Sequence, residues 1–402
     1  MSKWREVRFK DAIEFNPKVK LDKNRHYPCI GIANIDESSL SVYENESLKY
    51  TGQSSSKFKS GDVLFSRITP CLENRKIARV FLESSDRGFG STELFVFRGK
   101  KGKTLTKFVS YLAQTDIIVL PAINSMSGAS GRQRADRYFI EKLKIKIPDL
   151  ETQKKIADVL STYDELIENN NRRIEILEKT AEEIYKEWFV RMRFPGYENI
   201  KFNKGIPERW EVKRIGDVAK LVHGYTESAD EKPIGPKYLR GTDINKESYI
   251  NWEEVPYCGI KDTNVDKYKL YKNDIVIIRM ADPGKVAIVE SNIDAVFASY
   301  LIKIDYDKDK VRPYYMFYFL YSDSYREHIK SFSNGTTRSS INSKMILSSK
   351  ILVPSIQIQE EFNKRSSVIR EMLNKLINKN QNLIKQRDLL LPRLMNGTIE
   401  IR

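Results

Sequence analysis

Ile147-Pro148-Asp149-Leu150-Glu151-Thr152-Gln153-Lys154-Lys155-Ile156 returns 206 residues later as Val353-Pro354-Ser355-Ile356-Gln357-Ile358-Gln359-Glu360-Glu361-Phe362, with the proline and the closing glutamine kept. The match runs without a gap over residues 129–156 and 335–362. Arg132, Ile140, Lys144 and Ile145 fall on Arg338, Ile346, Lys350 and Ile351, and Ser130, Asp136 and Leu150 fall on the similar Thr336, Asn342 and Ile356. The same offset reappears where each half begins, with Trp4, Arg8 and Asp11 on Trp210, Arg214 and Asp217. In between, the register slips by a few residues, as loop insertions make it do. Gly61-Asp62-Val63-Leu64-Phe65-Ser66-Arg67 pairs with Asn273-Asp274-Ile275-Val276-Ile277-Ile278-Arg279, and Lys76-Ile77-Ala78 with Lys285-Val286-Ala287. One offset at both ends of a half marks a duplicated chain.

Each half reads as a strand-rich part followed by one long helix. Short β-branched and aromatic runs at 63–65, 94–97, 275–278 and 286–289 are punctuated by Gly, Asn and Asp. Beyond each proline-to-glutamine segment the period changes. Ile156, Leu160, Tyr163, Ile167, Asn170, Ile174, Leu177, Ala181, Ile184 and Trp188 alternate spacings of four and three, a coiled-coil pattern that Pro195-Gly196 ends. In the second half Phe362, Ile369, Leu376, Leu383 and Leu390 recur every seven residues, with Leu373 and Asn380 between, and Pro392 with Asn396-Gly397 closes the run. Asn170 and Asn380 are polar seam residues of the kind that fixes register at a cost in stability. Seams this long and narrow suit a helix partner. The expected helix-pair interface is Leu160, Ile167, Ile174, Leu177 and Ile184 with Phe362, Ile369, Leu376, Leu383 and Leu390. The expected segments are a globular part at 1–150, a helix at 151–193, a second globular part at 194–356, and a helix with a short tail at 357–402.

Charge says what the globular parts seek. The chain carries 69 Lys+Arg against 54 Asp+Glu, a net +15, which favours a polyanionic partner, either nucleic acid or an acidic membrane surface. The excess is not in the helices: residues 151–193 hold ten acidic and eight basic groups, residues 357–393 four and eight. The globular parts are therefore the expected polyanion binders and the helices a spacer. About 40 helical residues make a rod of roughly 60 Å, enough to hold two DNA readers about one helical turn (~34 Å) apart. No apolar run approaches the ~20 residues of a membrane span, and the opening Met1-Ser2-Lys3-Trp4 lacks a signal-peptide core. Three scattered cysteines and three histidines argue against a structural zinc site and for a reducing cytoplasm.

The order of globular part, long helix, related globular part and long helix resembles the specificity (S) subunit, HsdS, of Type I restriction-modification systems. Pro207-Glu208-Arg209-Trp210-Glu211-Val212-Lys213-Arg214-Ile215-Gly216-Asp217-Val218 is similar to that family's domain-opening segment. Gly335-Thr336-Thr337-Arg338-Ser339-Ser340-Ile341 resembles its pre-helix loop, and Leu389-Leu390-Leu391-Pro392-Arg393-Leu394-Met395-Asn396-Gly397 its C-terminal signature. The first half departs at Gly128-Ala129-Ser130-Gly131-Arg132. The resemblance implies an α+β fold. Two mainly β target recognition domains are separated by two long helices in an antiparallel coiled coil, with an internal pseudo-two-fold repeat. It further implies a non-catalytic DNA specificity subunit whose domains each read one half of a bipartite, asymmetric double-stranded site. Two methyltransferase subunits that flip and methylate adenine, and two restriction subunits, would join it. S-adenosylmethionine, ATP and magnesium would sit on those partners, with no cofactor or metal in this chain. Residues 398–402 would complete the N-terminal domain.

The residues themselves offer little chemistry. A glycine-rich cofactor turn, an Asn/Asp-Pro-Pro-aromatic motif and a P-loop are all missing; Asp282-Pro283-Gly284 and Arg312-Pro313-Tyr314 have the wrong pattern. Glu211-Val212-Lys213 imitates a nuclease Glu-x-Lys but no suitable Asp precedes it. For reading DNA, the useful groups are Arg and Lys toward guanine, Asn and Gln toward adenine, and Ser or Thr toward phosphate. The first candidate set is Arg67, Thr69, Asn74, Arg75 and Lys76 with Ser130, Arg132, Gln133 and Arg134. The second is His223, Tyr225, Arg240, Thr242, Arg279 and Lys285 with Thr336, Thr337, Arg338 and Ser339. Residues shared by readers of different sequences should hold phosphate or scaffold, which is the expectation for Arg132 and Arg338. Base readers should differ, which favours Asn74, Gln133, His223 and Arg240.

Overall fold

The computed structural model describes residues 4–37, 39–244, 248–260, 265–332 and 340–401. They form two compact units, Met1–Asn170 with Lys379–Arg402 and Asn171–Asn378. Two long helices, α1 (Leu150–Tyr185) and α2 (Ile356–Met395), run through both, so each unit holds one globular domain and a stretch of each helix.

Each domain has its own sheet, and the two have matching strand orders. In the first its strand order is Ile13–Phe15, Leu94–Gly99, Val63–Ser66, Ile77–Phe81 and Ser41–Tyr43; in the second it is Ala219–His223, Leu301–Tyr306, Ile275–Ile278 and Val286–Ile288. The third strand of each is buried throughout, which is why both read as unbroken apolar runs. A parallel pairing recurs as well, Arg25–Ile30 with Arg87–Gly90 and Lys237–Leu239 with Ala295–Phe297; two further strands extend it in the first domain.

The sequence repeat is a repeat of register. Arg5 lies opposite Ile147 and Arg8 opposite Lys144; 206 residues on, Glu211 lies opposite Val353 and Arg214 opposite Lys350. In Lys144–Ile147 alternation turns both isoleucines inward and both lysines outward. The short helix before each of these strands is capped by a side chain: Asp136 accepts from the Phe139 amide (2.9 Å) and Asn342 from the Met345 amide (3.0 Å). The proline-then-glutamine pattern is a clip. Gln153 Nε2 donates to the carbonyls of Pro148 (2.9 Å) and Lys103 (2.9 Å), and its Oε1 accepts from the Leu105 amide (2.9 Å). Gln359 repeats this on Pro354 (2.9 Å), Lys310 (3.0 Å) and Arg312 (2.9 Å). Both glutamines are fully buried, so the clip satisfies loop carbonyls that water cannot reach.

Within each unit the helices run antiparallel. In the first unit Asp164 meets Arg387 (2.9 Å) and Asn170 meets Asn380 (2.7 Å). In the second, Ile174 packs with Leu373 and Ile377, and the Trp188 and Phe362 rings lie 5.8 Å apart. The deepest residues of α2 include Ser366, Arg370, Leu373, Ile377, Asn380, Arg387 and Leu394. Of the residues expected at the interface, Leu160, Ile174 and Phe362 are buried, while Ile167, Leu177, Ile184, Ile369, Leu376, Leu383 and Leu390 are half-buried. The buried face thus includes polar positions that a hydrophobic reading passes over.

Helix α2 ends where Asn396-Gly397 was expected to close it. It continues through Pro392 to Met395, because a proline in the last turn forfeits a single intrahelical bond. Gly397, at φ +76°, ends it, and a Cβ there would lie 2.8 Å from the Trp4 indole. Beyond it Ile399 and Ile401 pack with Trp4 on the first domain's core, so the C-terminal tail completes the N-terminal domain. In the second unit Phe194 does the same service for Trp210, at 4.8 Å between ring centroids.

Candidate nucleic-acid interface

In each domain the third strand of the sheet leads into an arginine held in the same way. The Arg67 amide donates to the Glu93 carbonyl (3.0 Å) and its carbonyl accepts from Ala135 (2.8 Å); the Arg279 amide donates to Tyr300 (3.0 Å) and its carbonyl accepts from Ile341 (2.9 Å). The residue before each arginine donates to a lysine carbonyl, Ser66 to Lys76 (3.2 Å) and Ile278 to Lys285 (2.8 Å). Each arginine's neighbour forms one bridge to the pre-helix loop, Ile68 with Arg134 and Met280 with Ser340. In both guanidinium groups Nε is buried and donates no hydrogen bond among the described residues.

Around this common arginine the side chains differ. In the first domain Glu93 receives Arg134 on both carboxylate oxygens (2.6–3.0 Å) and lies 3.5 Å from Arg67. Hydrogen bonding to Arg134 holds the Glu93 carboxyl below the usual glutamate range. Arg67 also lies over the Phe95 ring (5.1 Å). In the second domain the places of Glu93 and Arg134 are taken by Tyr300, 57% exposed, and Ser340. The second domain's outer strand also runs further. Asn16 turns the first domain's chain at φ +48°, whereas Ala219–His223 continues and sets His223 beside Arg279. Arg279 Nη1 lies 3.5 Å from His223 Nδ1, and His223 Nε2 lies 3.0 Å from Ser343 Oγ. A guanidinium only donates, so the Arg279 contact requires Nδ1 to be its acceptor.

The other candidates divide. Thr69 and Gln133 join this surface: the Thr69 amide donates to the Gln133 carbonyl (3.0 Å) and the Gln133 amide to Thr69 Oγ1 (3.1 Å). Ser130 and Arg132 are exposed on the adjoining loop, and Lys76 is half-buried. Asn74 is turned to Glu37 (2.9 Å), and Arg75 to the Gln114 carbonyl (2.5 Å) and the Asp116 carboxylate. In the second domain Tyr225 stacks obliquely on Tyr268 (5.2 Å), Arg240 is held by Asp243 (2.8 and 3.1 Å), and Lys285 pairs with Asp282 (2.7 Å). Thr242 is exposed on the turn Gly241–Asp243. Thr336, Thr337, Arg338 and Ser339 lie outside the described residues. Sequence reasoning passed over Glu93, Tyr300, Ser340 and Ser343. The pairings of Arg67 with Arg279 and of Lys76 with Lys285, already visible in sequence, pointed to where these residues gather.

The family model for the Type I restriction modification DNA specificity domain matches this chain twice, over residues 1–179 and 207–386. The chain belongs to that family. A curated relative, the Type I restriction enzyme MjaIX specificity subunit of Methanocaldococcus jannaschii, is 30% identical over 75% of this chain and 71% of its own length. The HindI specificity subunit of Haemophilus influenzae is 23% identical over 99% of this chain and all of its own. The Type I restriction-modification S subunit from M. genitalium has the same fold, with a TM-score of 0.57 at 17% identity over 98% of this chain and 96% of that one. This specificity subunit is thus the non-catalytic, DNA-recognising member of a Type I system. Among its described residues no helix is long and apolar enough to cross a membrane.

Proposed function

We propose that this subunit reads one bipartite, asymmetric site on double-stranded DNA, each recognition domain taking one half. The observation that carries the reading is the common arginine. The same backbone frame presents Arg67 and Arg279, and the side chains around them differ, as two readers of different sequences on one scaffold require. A net charge of +15 supplies the attraction to phosphate. Recognition domains 1–150 and 194–356 are joined through spacer helices 151–193 and 357–402. Arg67, Arg279 and Arg132 position the DNA backbone. Gln133 and Arg134 read bases in one half, His223 and Tyr300 in the other. Asn74, Arg75 and Arg240 are engaged by Glu37, Asp116 and Asp243 and serve to shape the loops. In the cytoplasm the subunit positions two methyltransferase subunits for adenine methylation, and two restriction subunits for cleavage of unmodified DNA.

Co-expression with the neighbouring methyltransferase in a methylation-free host, followed by mapping of modified bases, tests this. A split motif with one methylated adenine in each half is the expected result. A soluble complex that leaves the host DNA unmodified would overturn it and turn attention to a free-standing DNA binder.

A further inference from the structure

We propose that Glu93 is a positioning residue that presents Arg134 to a guanine in the half-site read by the first domain. The inference rests on the reading above and goes one step deeper, to a base and to the side chain that aims its reader. Arg134 meets Glu93 side-on: Nε donates to Oε2 (2.9 Å) and Oε1 (3.0 Å), and Nη2 donates to Oε1 (2.6 Å). A guanidinium carries five N–H donors in a fixed planar fork. The side-on contact occupies the Nε edge and leaves the two Nη1 donors and the outer Nη2 donor. That end-on pair matches guanine O6 and N7 in the major groove.

The surroundings fit a presenter. The Arg134 backbone is pinned to Ser127 by both its amide (2.9 Å) and its carbonyl (3.1 Å), and the side chain remains 43% exposed. Glu93 is itself only 21% exposed and lies 3.5 Å from Arg67, so two cations offset its charge near DNA. Preorganising a long, flexible side chain in this way removes ordering cost at the moment of binding. A purely structural ion pair is the competing explanation, and the second domain argues against it. There Tyr300 and Ser340 occupy the same places with the same backbone bonds, so the frame forms without the pair.

The test reads base preference in the full complex with its methyltransferase. Methylation is scored for the wild-type site and for every single-base neighbour in both halves. Arg134→Ala, Arg134→Lys and Glu93→Gln are each expected to relax the preference for one G·C pair by about tenfold or more, with the other half unchanged. Lysine keeps the charge without the bidentate fork, so Arg134→Lys separates guanine reading from phosphate attraction and covers the case in which the alanine variant folds poorly. Methylation lowered evenly across all neighbours, as a phosphate contact or a structural pair would give, overturns the inference. So does a half-site with no G·C pair whose preference moves. A wild-type complex with no split motif would instead bring down the underlying reading.

Discussion

The first recognition domain surrounds its sheet-end arginine with Glu93 and Arg134; the second surrounds the equivalent Arg279 with His223, Tyr300 and Ser340. The buried polar devices of the helices diverge in the same way. Position 164 is an aspartate bound by Arg387 and Tyr111, and its repeat, position 370, is an arginine bound by Glu290 and Ser248. What the halves share is the frame: the strand register, the two side-chain caps and the two glutamine clips. Duplication kept the parts that make the frame and let the side chains it displays go separate ways.

The largest effects should come from the buried pairs. Arg370 and Glu290 are 1% and 7% exposed, so Arg370→Ala strands a buried carboxylate and should cost about 3–5 kcal/mol. Asp164→Ala should cost less, since Arg387 and Asp164 are 9% and 19% exposed. Urea unfolding of both variants checks the order; equal losses would contradict it. Next come the clips. Gln153→Ala and Gln359→Ala each leave matching loop groups unpaired, about 1–3 kcal/mol apiece. Markedly unequal costs would break the equivalence of the halves.

Smaller still are the effects on DNA. Arg67→Ala and Arg279→Ala should weaken binding about equally across sequences, each flattening the log–log salt dependence by roughly 0.9. His223→Ala should instead relax discrimination by about 1 kcal/mol or more in one half-site only. Binding titrations against site variants at two salt concentrations distinguish these. The smallest effect is a pH dependence. Hydrogen bonds from Arg134 depress the Glu93 carboxyl, so its stabilisation is present above the unfolded-state value of ~4.3 and is lost as pH falls through the folded one. Wild type should melt slightly above Glu93→Gln at pH 7, since Arg134 is solvent-screened, and the two should converge in acid. A constant gap from pH 7 to pH 3 would contradict the assignment.

The duplication was legible because the frame depends on few residue types. Gln153 and Gln359, and Asp136 and Asn342, each do a job that side-chain chemistry restricts. The phase of α2 was less legible, because Ser366, Arg370 and Arg387 occupy buried positions and their polarity disguises the face. The candidate surface was legible only in part. Arg75 has the composition of a DNA contact, yet the fold turns it onto Asp116. Glu93 and Tyr300 share no chemistry, and only the matching backbone bonds from Arg67 and Arg279 reveal them as one position.

The central claim, that the two domains are independent readers on one frame, is tested most directly by a duplication. Residues 5–147 are placed where 211–353 stand, at strand ends whose register coincides, and the methylated motif of the resulting complex is mapped. The account expects a motif made of two copies of the first half-site, the original second half having vanished. A methylating complex that still recognised the original asymmetric motif would contradict it.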